Sequence, residues 1–287
     1  MDLRFLVVEG NTRESREAHR SAFGVTPSAS YAAVLTALAP GAICDIVYPA
    51  DAGAALPDGA GLASYDAVVL TGSALNLYDA TPSVLHQIEL MRAVYASGTP
   101  CFGSCWGIQI AAAAAGGTVA RNPKGIEIGF ARRLVATDAG RDHPMLAGRP
   151  PSYDAPAIHW DAVVTPPEDC TVLARNAMSA IQAAEIRHRG GVFWGVQYHP
   201  EFSLLELAII LERRLEVLVG EGFCDTLEDA AAFVADLVAL HTEPERRDLA
   251  WRYGLDEEVL DPVRRTREIA NFIESYVRPE RSRRARA

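Results

Sequence analysis

The stretch Pro100-Cys101-Phe102-Gly103-Ser104-Cys105-Trp106-Gly107-Ile108-Gln109 constrains this chain more than any other. It reads as a short buried strand, a sharp turn bearing a cysteine, and the start of a helix. Ala67-Val68-Val69-Leu70 reads as a neighbouring strand of the same sheet. Gly103 and Gly107 stand two residues either side of Cys105, a G-x-nucleophile-x-G pattern with cysteine in place of serine. Such a turn strains the backbone at its central residue, so the flanking side chains must be small. It also lifts the nucleophile to the carboxyl edge of the sheet. The following helix points its amide end at the sulfur, and a helix N-terminus favours thiolate over thiol.

A nucleophile of this kind needs a base. Gly195-Val196-Gln197-Tyr198-His199-Pro200-Glu201 offers one in His199. Glu201 lies two residues on, which in an extended segment places both side chains on one face. Glu201 then orients the His199 imidazole, giving a Cys-His-Glu set of nucleophile, base and orienter. Their distance from Cys105 in sequence is no objection, because such partners meet in space.

Short apolar runs alternate with helical segments through the first 115 residues. This pattern predicts a mostly parallel sheet with helices on both faces, and ligands then bind beyond the carboxyl ends of the strands. From Glu127 to Trp194 the segments shorten into strands expected to include antiparallel pairs. Leu204–Leu218 has helical periodicity, Thr226 can cap Leu227–Leu240, and helices follow near Glu245–Tyr253 and Asp261–Tyr276. The division expected is a domain over residues 1–205 and a helical C-terminal extension over 206–287. Arg278 to Ala287 holds five arginines and reads as a solvated, frayed tail.

The 287 residues carry a formal net charge of −10, which argues against a nucleic-acid or anionic-membrane partner. The five cysteines show no paired or metal-type spacing and fit a reducing compartment. The N-terminus reads as a strand rather than a signal peptide, and the longest apolar run is too short to span a bilayer. The expectation is a cytoplasmic protein that needs neither metal nor organic cofactor.

The two motifs together resemble class I, triad-type glutamine amidotransferase domains, over roughly the first 205 residues. Ile158-His159-Trp160-Asp161 through Thr171-Val172-Leu173-Ala174 is similar to the segment before the catalytic histidine in the amidotransferase domain of GMP synthetase. The resemblance implies a flavodoxin-like, doubly wound α/β fold. Leu70-Thr71-Gly72-Ser73 lies where that family has its oxyanion loop. Acyl transfer from an amide needs two backbone donors for the oxyanion. One is expected from Trp106 and the other, by resemblance, from Ser73. Many members carry Gly-Gly-Pro here, whereas this chain has Gly72-Ser73-Ala74, a departure from the GMP synthetase branch. The following Asn76-Leu77-Tyr78-Asp79 resembles the loop of stand-alone relatives.

Gln109 matches the glutamine of the family's C-x-G-x-Q motif, which contacts the amino-acid end of the substrate. Gly72, His159 and Trp160 are expected to line that site, Trp160 reading equally well as a core side chain. The polar segment Asn11–Arg20 reads as a solvated loop at the carboxyl edge, or else a lid. The resemblance implies attack of Cys105 on a γ-carboxamide and hydrolysis of a γ-glutamyl thioester. Three functions compete: a glutaminase supplying ammonia to a separate synthase, a hydrolase of γ-glutamyl amides or peptides, and a non-catalytic regulatory module. The first is favoured by family frequency, and the third is opposed by the intact Cys105, His199 and Glu201. The chain has no P-loop or pyrophosphatase loop, so any synthase is another polypeptide. The C-terminal helices are the natural place for such a partner or for self-association.

Overall fold

The structure, a computed structural model, describes residues 2–284. Its main sheet has nine strands in the order β2-β1-β3-β4-β11-β10-β9-β6-β7. These are β1 (Arg4–Val8), β2 (Ile43–Val47), β3 (Ala67–Leu70), β4 (Cys101–Ser104), β6 (Glu127–Ala136), β7 (Ser152–His159), β9 (Cys170–Arg175), β10 (Ala183–His188) and β11 (Gly191–Val196). The pairs from β2 to β11 are parallel, and those from β11 to β7 are antiparallel. A separate ribbon pairs β5 (Thr118–Arg121) with β8 (Asp161–Thr165). The alternating first half thus gives the expected doubly wound α/β sheet, and the short strands give the antiparallel edge.

Strand alternation divides the apolar side chains between two faces. Phe5, Val7, Val69 and Phe102 point to one, against α2 (Pro27–Leu38) after α1 (Arg13–Phe23). Leu6, Val8, Val68 and Leu70 point to the other, against α3 (Pro82–Ser97) and α4 (Trp106–Ala114). A single turn, α5 (Asp138–Arg141), lies between β6 and β7.

The C-terminal part comprises α6 (Leu204–Glu212), α7 (Leu215–Gly220), α8 (Leu227–Thr242), α9 (Arg247–Arg252), α10 (Glu257–Leu260), α11 (Pro262–Arg265), α12 (Arg267–Phe272) and α13 (Arg278–Arg284). Thr226 and Asp229 form a capping box on α8. These helices build a third core with Ile126, Ile128 and Phe130, while Ile269, Phe272, Ile273 and Val277 enter the first. Arg149 ties the parts together, meeting Glu258 and Glu268 at 2.7 Å each with its side chain only 2% exposed.

Three expectations need correction. Leu204–Leu218 is not one helix but two, broken at Arg213-Arg214. Asn11–Arg20 is not a loop, because Thr12 caps α1 at Arg13. Arg278–Arg284 is helical rather than a frayed tail: Arg278 pairs with Glu274, and Arg284 donates to the Gly98 carbonyl where α3 ends. Residues 285–287 lie outside the described part.

Because β1, β3, β4 and β11 are adjacent and parallel, the segments following them emerge side by side. Those segments begin at Glu9, Thr71, Cys105 and Gln197.

Candidate active site

Cys105 sits between β4 and α4 with φ 51° and ψ −98°, a left-handed conformation for a residue with a side chain. Its amide donates to the Val196 carbonyl on β11 at 2.8 Å, which helps hold the turn. The two flanking glycines are required by contact. A Cβ on Gly103 would stand 2.8 Å from the Gly107 Cα, and one on Gly107 would stand 3.2 Å from Leu70 Cβ. The Cys105 sulfur lies 3.7 Å from the Ile158 carbonyl oxygen.

His199 and Glu201 follow β11 and are both buried. His199 Nδ1 and Glu201 Oε1 are 2.7 Å apart, and the ring stacks on Phe202 at a centroid distance of 3.9 Å. The His199 amide donates to the Pro156 carbonyl of β7 at 2.7 Å. Burial favours the neutral imidazole, but the Glu201 carboxylate and then Cys105 outweigh it, and the histidine is pushed up to about 10. A Cβ on Gly72 would stand 2.6 Å from His199 Cε1, so Gly72 is what lets the ring approach the loop. The structure thus brings Cys105, His199 and Glu201 together, as the two motifs lead one to expect, and adds Gly72 against the imidazole rather than at the substrate's amino-acid end alone.

The loop after β3 is clamped by Asn11. Asn11 Nδ2 donates to the Gly72 carbonyl at 3.2 Å and its Oδ1 accepts the Ala74 amide at 3.1 Å. Glu9, fully buried at the end of β1, accepts both amide groups of Asn11 and the Ser28 amide. Ser73 avoids positive φ, and its hydroxyl donates to the Gly10 carbonyl at 2.8 Å while accepting the Leu75 amide. Serine thus fits where glycine is common. With the Ala74 and Leu75 amides engaged, the Ser73 amide is left without a protein acceptor among the described residues. Trp106, whose amide opens α4, is fixed by its Nε1 donating to Gln87 Oε1 at 2.7 Å. The clamp by Asn11 and Glu9 was not foreseen. Its one signal in the sequence is a carboxylate ending an otherwise apolar strand, directly before a glycine.

Cys105, His199, Glu201, Asn11, Gly72 and Ser73 line a cavity of about 300 Å³. On the α4 side, Gln109 is buried and donates to the Asp161 carbonyl at 3.1 Å and to Gln197 Oε1 at 3.3 Å. His159 is also buried, with Nδ1 3.0 Å from the Asp161 carbonyl and Nε2 2.9 Å from Glu127. Trp160 walls the cavity, its ring covered by Arg121 at 4.5 Å. Desolvation raises the Asp161 carboxyl, which Tyr78 reaches at 3.5 Å. A further part of the lining comes from α1, α6 and the break after α6, and holds His19, Glu206, Ile210, Arg213 and Arg214, which sequence reasoning passed over. Among the described residues, no three His, Cys, Asp or Glu side chains are grouped as a metal site needs, and no helix is long and apolar enough to cross a membrane.

Residues 41–214 match the family Glutamine amidotransferase class-I. The chain belongs to the class I glutamine amidotransferase family. It is an enzyme of the amidotransferase-type hydrolases and is related to the amidotransferase domains of GMP synthases. It is 35% identical to a gamma-glutamyl-L-1-hydroxyisopropylamide hydrolase of Pseudomonas sp, over 98% of this chain and 95% of that one. It is 32% identical to a GMP synthase of Chlorobium limicola, over 47% of this chain but only 25% of the synthase. A crystal structure of a glutamine amidotransferase from Thermotoga maritima superposes with a TM-score of 0.62, covering 96% of this chain and 99% of that one. At 17% identity, that last likeness speaks for the amidotransferase fold alone.

Proposed function

We propose that this enzyme hydrolyses substituted γ-glutamyl amides. The observation that carries the reading is end-to-end similarity to a hydrolase of such an amide, which takes in the C-terminal helices as well as the amidotransferase domain. The similarity to GMP synthase stops at a quarter of that protein. The expectation of a glutaminase feeding ammonia to a separate synthase therefore gives way to its alternative.

The geometry supports the following chemistry. Cys105 thiolate attacks the γ-carbonyl carbon, and the amides of Ser73 and Trp106 face the oxyanion. His199, charged and steadied by Glu201, gives its proton to the amine nitrogen as the C–N bond breaks. A γ-glutamyl thioester remains on Cys105. Water then attacks it, His199 takes the water's proton, and the C–S bond breaks to release glutamate. Gln109 and Asp161 hold the amino-acid end of the substrate, with the Asp161 carboxylate available to its α-ammonium.

The test is steady-state hydrolysis of glutamine and of a neutral N-alkyl γ-glutamyl amide, with Cys105→Ala as control. The expected kcat/KM is at least about tenfold higher for the substituted amide, the order of one buried methylene or two on the leaving group. A preference for glutamine would overturn the reading.

A further inference from the structure

The lining contributed by α1, α6 and the break after α6 carries two arginines that, among the described residues, pair with no carboxylate. Arg213 and Arg214 both line the cavity, at the break between α6 and α7. Arg214 is half-buried and donates from Nη1 to the Ile210 carbonyl at 2.8 Å. Among the described residues neither guanidinium has a carboxylate partner, and burial, then the like charge of Arg213, lowers the pKa of Arg214. Arg16 and Arg149, buried to a greater extent, each meet carboxylates at close range. A guanidinium taken partly out of water beside a like charge is stabilised by an anion, and its planar fork suits a carboxylate.

The position of the pair says which part of the substrate it meets. The departing nitrogen must face His199, which protonates it. Phe202 stacks on that ring, and α6 begins at Leu204 directly beyond. Glu206, Ile210 and Arg213 follow at intervals of four and three, one stripe along the cavity side of the helix. The leaving amine therefore runs along α6, away from the Gln109–Asp161 wall. Glu206 does not oppose an anion at the far end. Its Oε2 accepts from Ser30, its Oε1 lies 3.4 Å from His19 Nε2, and Arg213 is about 10 Å further along the axis.

We propose that Arg213 and Arg214 form a subsite for a carboxylate carried by the leaving amine. This makes γ-glutamyl amino acids and short γ-glutamyl peptides the preferred substrates. The inference rests on the hydrolase reading above and adds the charge of the leaving group to it.

The test compares γ-glutamyl-alanine with γ-glutamyl-alaninamide, which differ in that one carboxylate. Full-length wild type should favour the carboxylate form in kcat/KM by about ten- to a hundredfold, the range of a charge-assisted contact. Arg213→Gln and Arg214→Gln should each cut that ratio about tenfold, and Arg214→Lys should restore part of it. Arg213 is exposed, so its variant keeps the test valid if the Arg214 variants fold poorly. A wild-type ratio near one, or a ratio unchanged in the variants, overturns the subsite. Equal losses on both substrates also overturn it, since the pair would then be holding the glutamyl carboxylate. Hydrolysis of both substrates without preference leaves the hydrolase reading standing. Hydrolysis of glutamine but of neither substituted amide overturns that reading and the subsite with it.

Discussion

His199 Nδ1 lies 2.7 Å from Glu201 Oε1, and this contact, together with Cys105, raises the histidine against its own burial to about 10. The folded value lies above that of the unfolded chain, about 6.5. The pair therefore stabilises the protein fully below pH 6.5, and that stabilisation is lost as pH rises through about 10. Activity should follow the same proton, because in the proposed mechanism protonated His199 is the acid for the leaving amine. The alkaline limb of kcat/KM is expected near pH 10, and Glu201→Gln should move it down by a pH unit or more. A pH–rate profile of both proteins checks this; coincident alkaline limbs would remove Glu201 from the role.

Gly72→Ala places a methyl group 2.6 Å from His199 Cε1. The ring must move, and a displacement near 1 Å costs about a hundredfold in rate. Steady-state kinetics should show that loss, and a change smaller than threefold would mean the loop yields instead.

Gly103→Ala meets backbone, the Gly107 Cα at 2.8 Å, rather than a side chain. Overpacking of this kind costs about 1–3 kcal/mol. Urea unfolding should show a lower midpoint with an unchanged slope.

Asn11→Ala frees the Gly72 carbonyl and the Ala74 amide together. The Ser73 amide, the proposed oxyanion donor, then loses its fixed direction, and kcat should fall about ten- to a hundredfold, below the loss of a whole oxyanion donor. A fall confined to KM would place Asn11 in substrate binding instead.

Glu268→Ala leaves Arg149 buried with one carboxylate in place of two, and also strips the Tyr198 hydroxyl of its acceptor at 2.9 Å. Removing one member of a buried ionic set costs about 3–5 kcal/mol. Denaturant unfolding measures it, and a loss under 1 kcal/mol would mean the C-terminal helices are held by apolar packing alone.

Much of the candidate site could be read from short segments. The elbow glycines, the His199-Pro200-Glu201 segment and the Gly72-Ser73 loop are local patterns, and their spacing already states the backbone they need. Gln109 was read from its motif, yet its burial against Asp161 was not visible, because a helix sequence does not name the strand that covers it. Asn11 was missed for a related reason. A polar residue after a strand looks like a solvated loop until the neighbouring strand brings Gly72 and Ala74 within its reach.

By itself the sequence determined the strand–turn–helix around Cys105, the His199-Pro200-Glu201 segment proposed as its partner, and the alternation that makes the sheet parallel. These follow from backbone sterics and side-chain period, which act within a few residues. Only the tertiary structure decided that the C-terminal helices complete the cores, that Arg278–Arg284 docks as a helix, and that Arg213 and Arg214 line the cavity with no carboxylate partner among the described residues. Those outcomes depend on which distant carbonyls and carboxylates come within about 3 Å, the reach of a hydrogen bond, and that is settled by packing across the sheet.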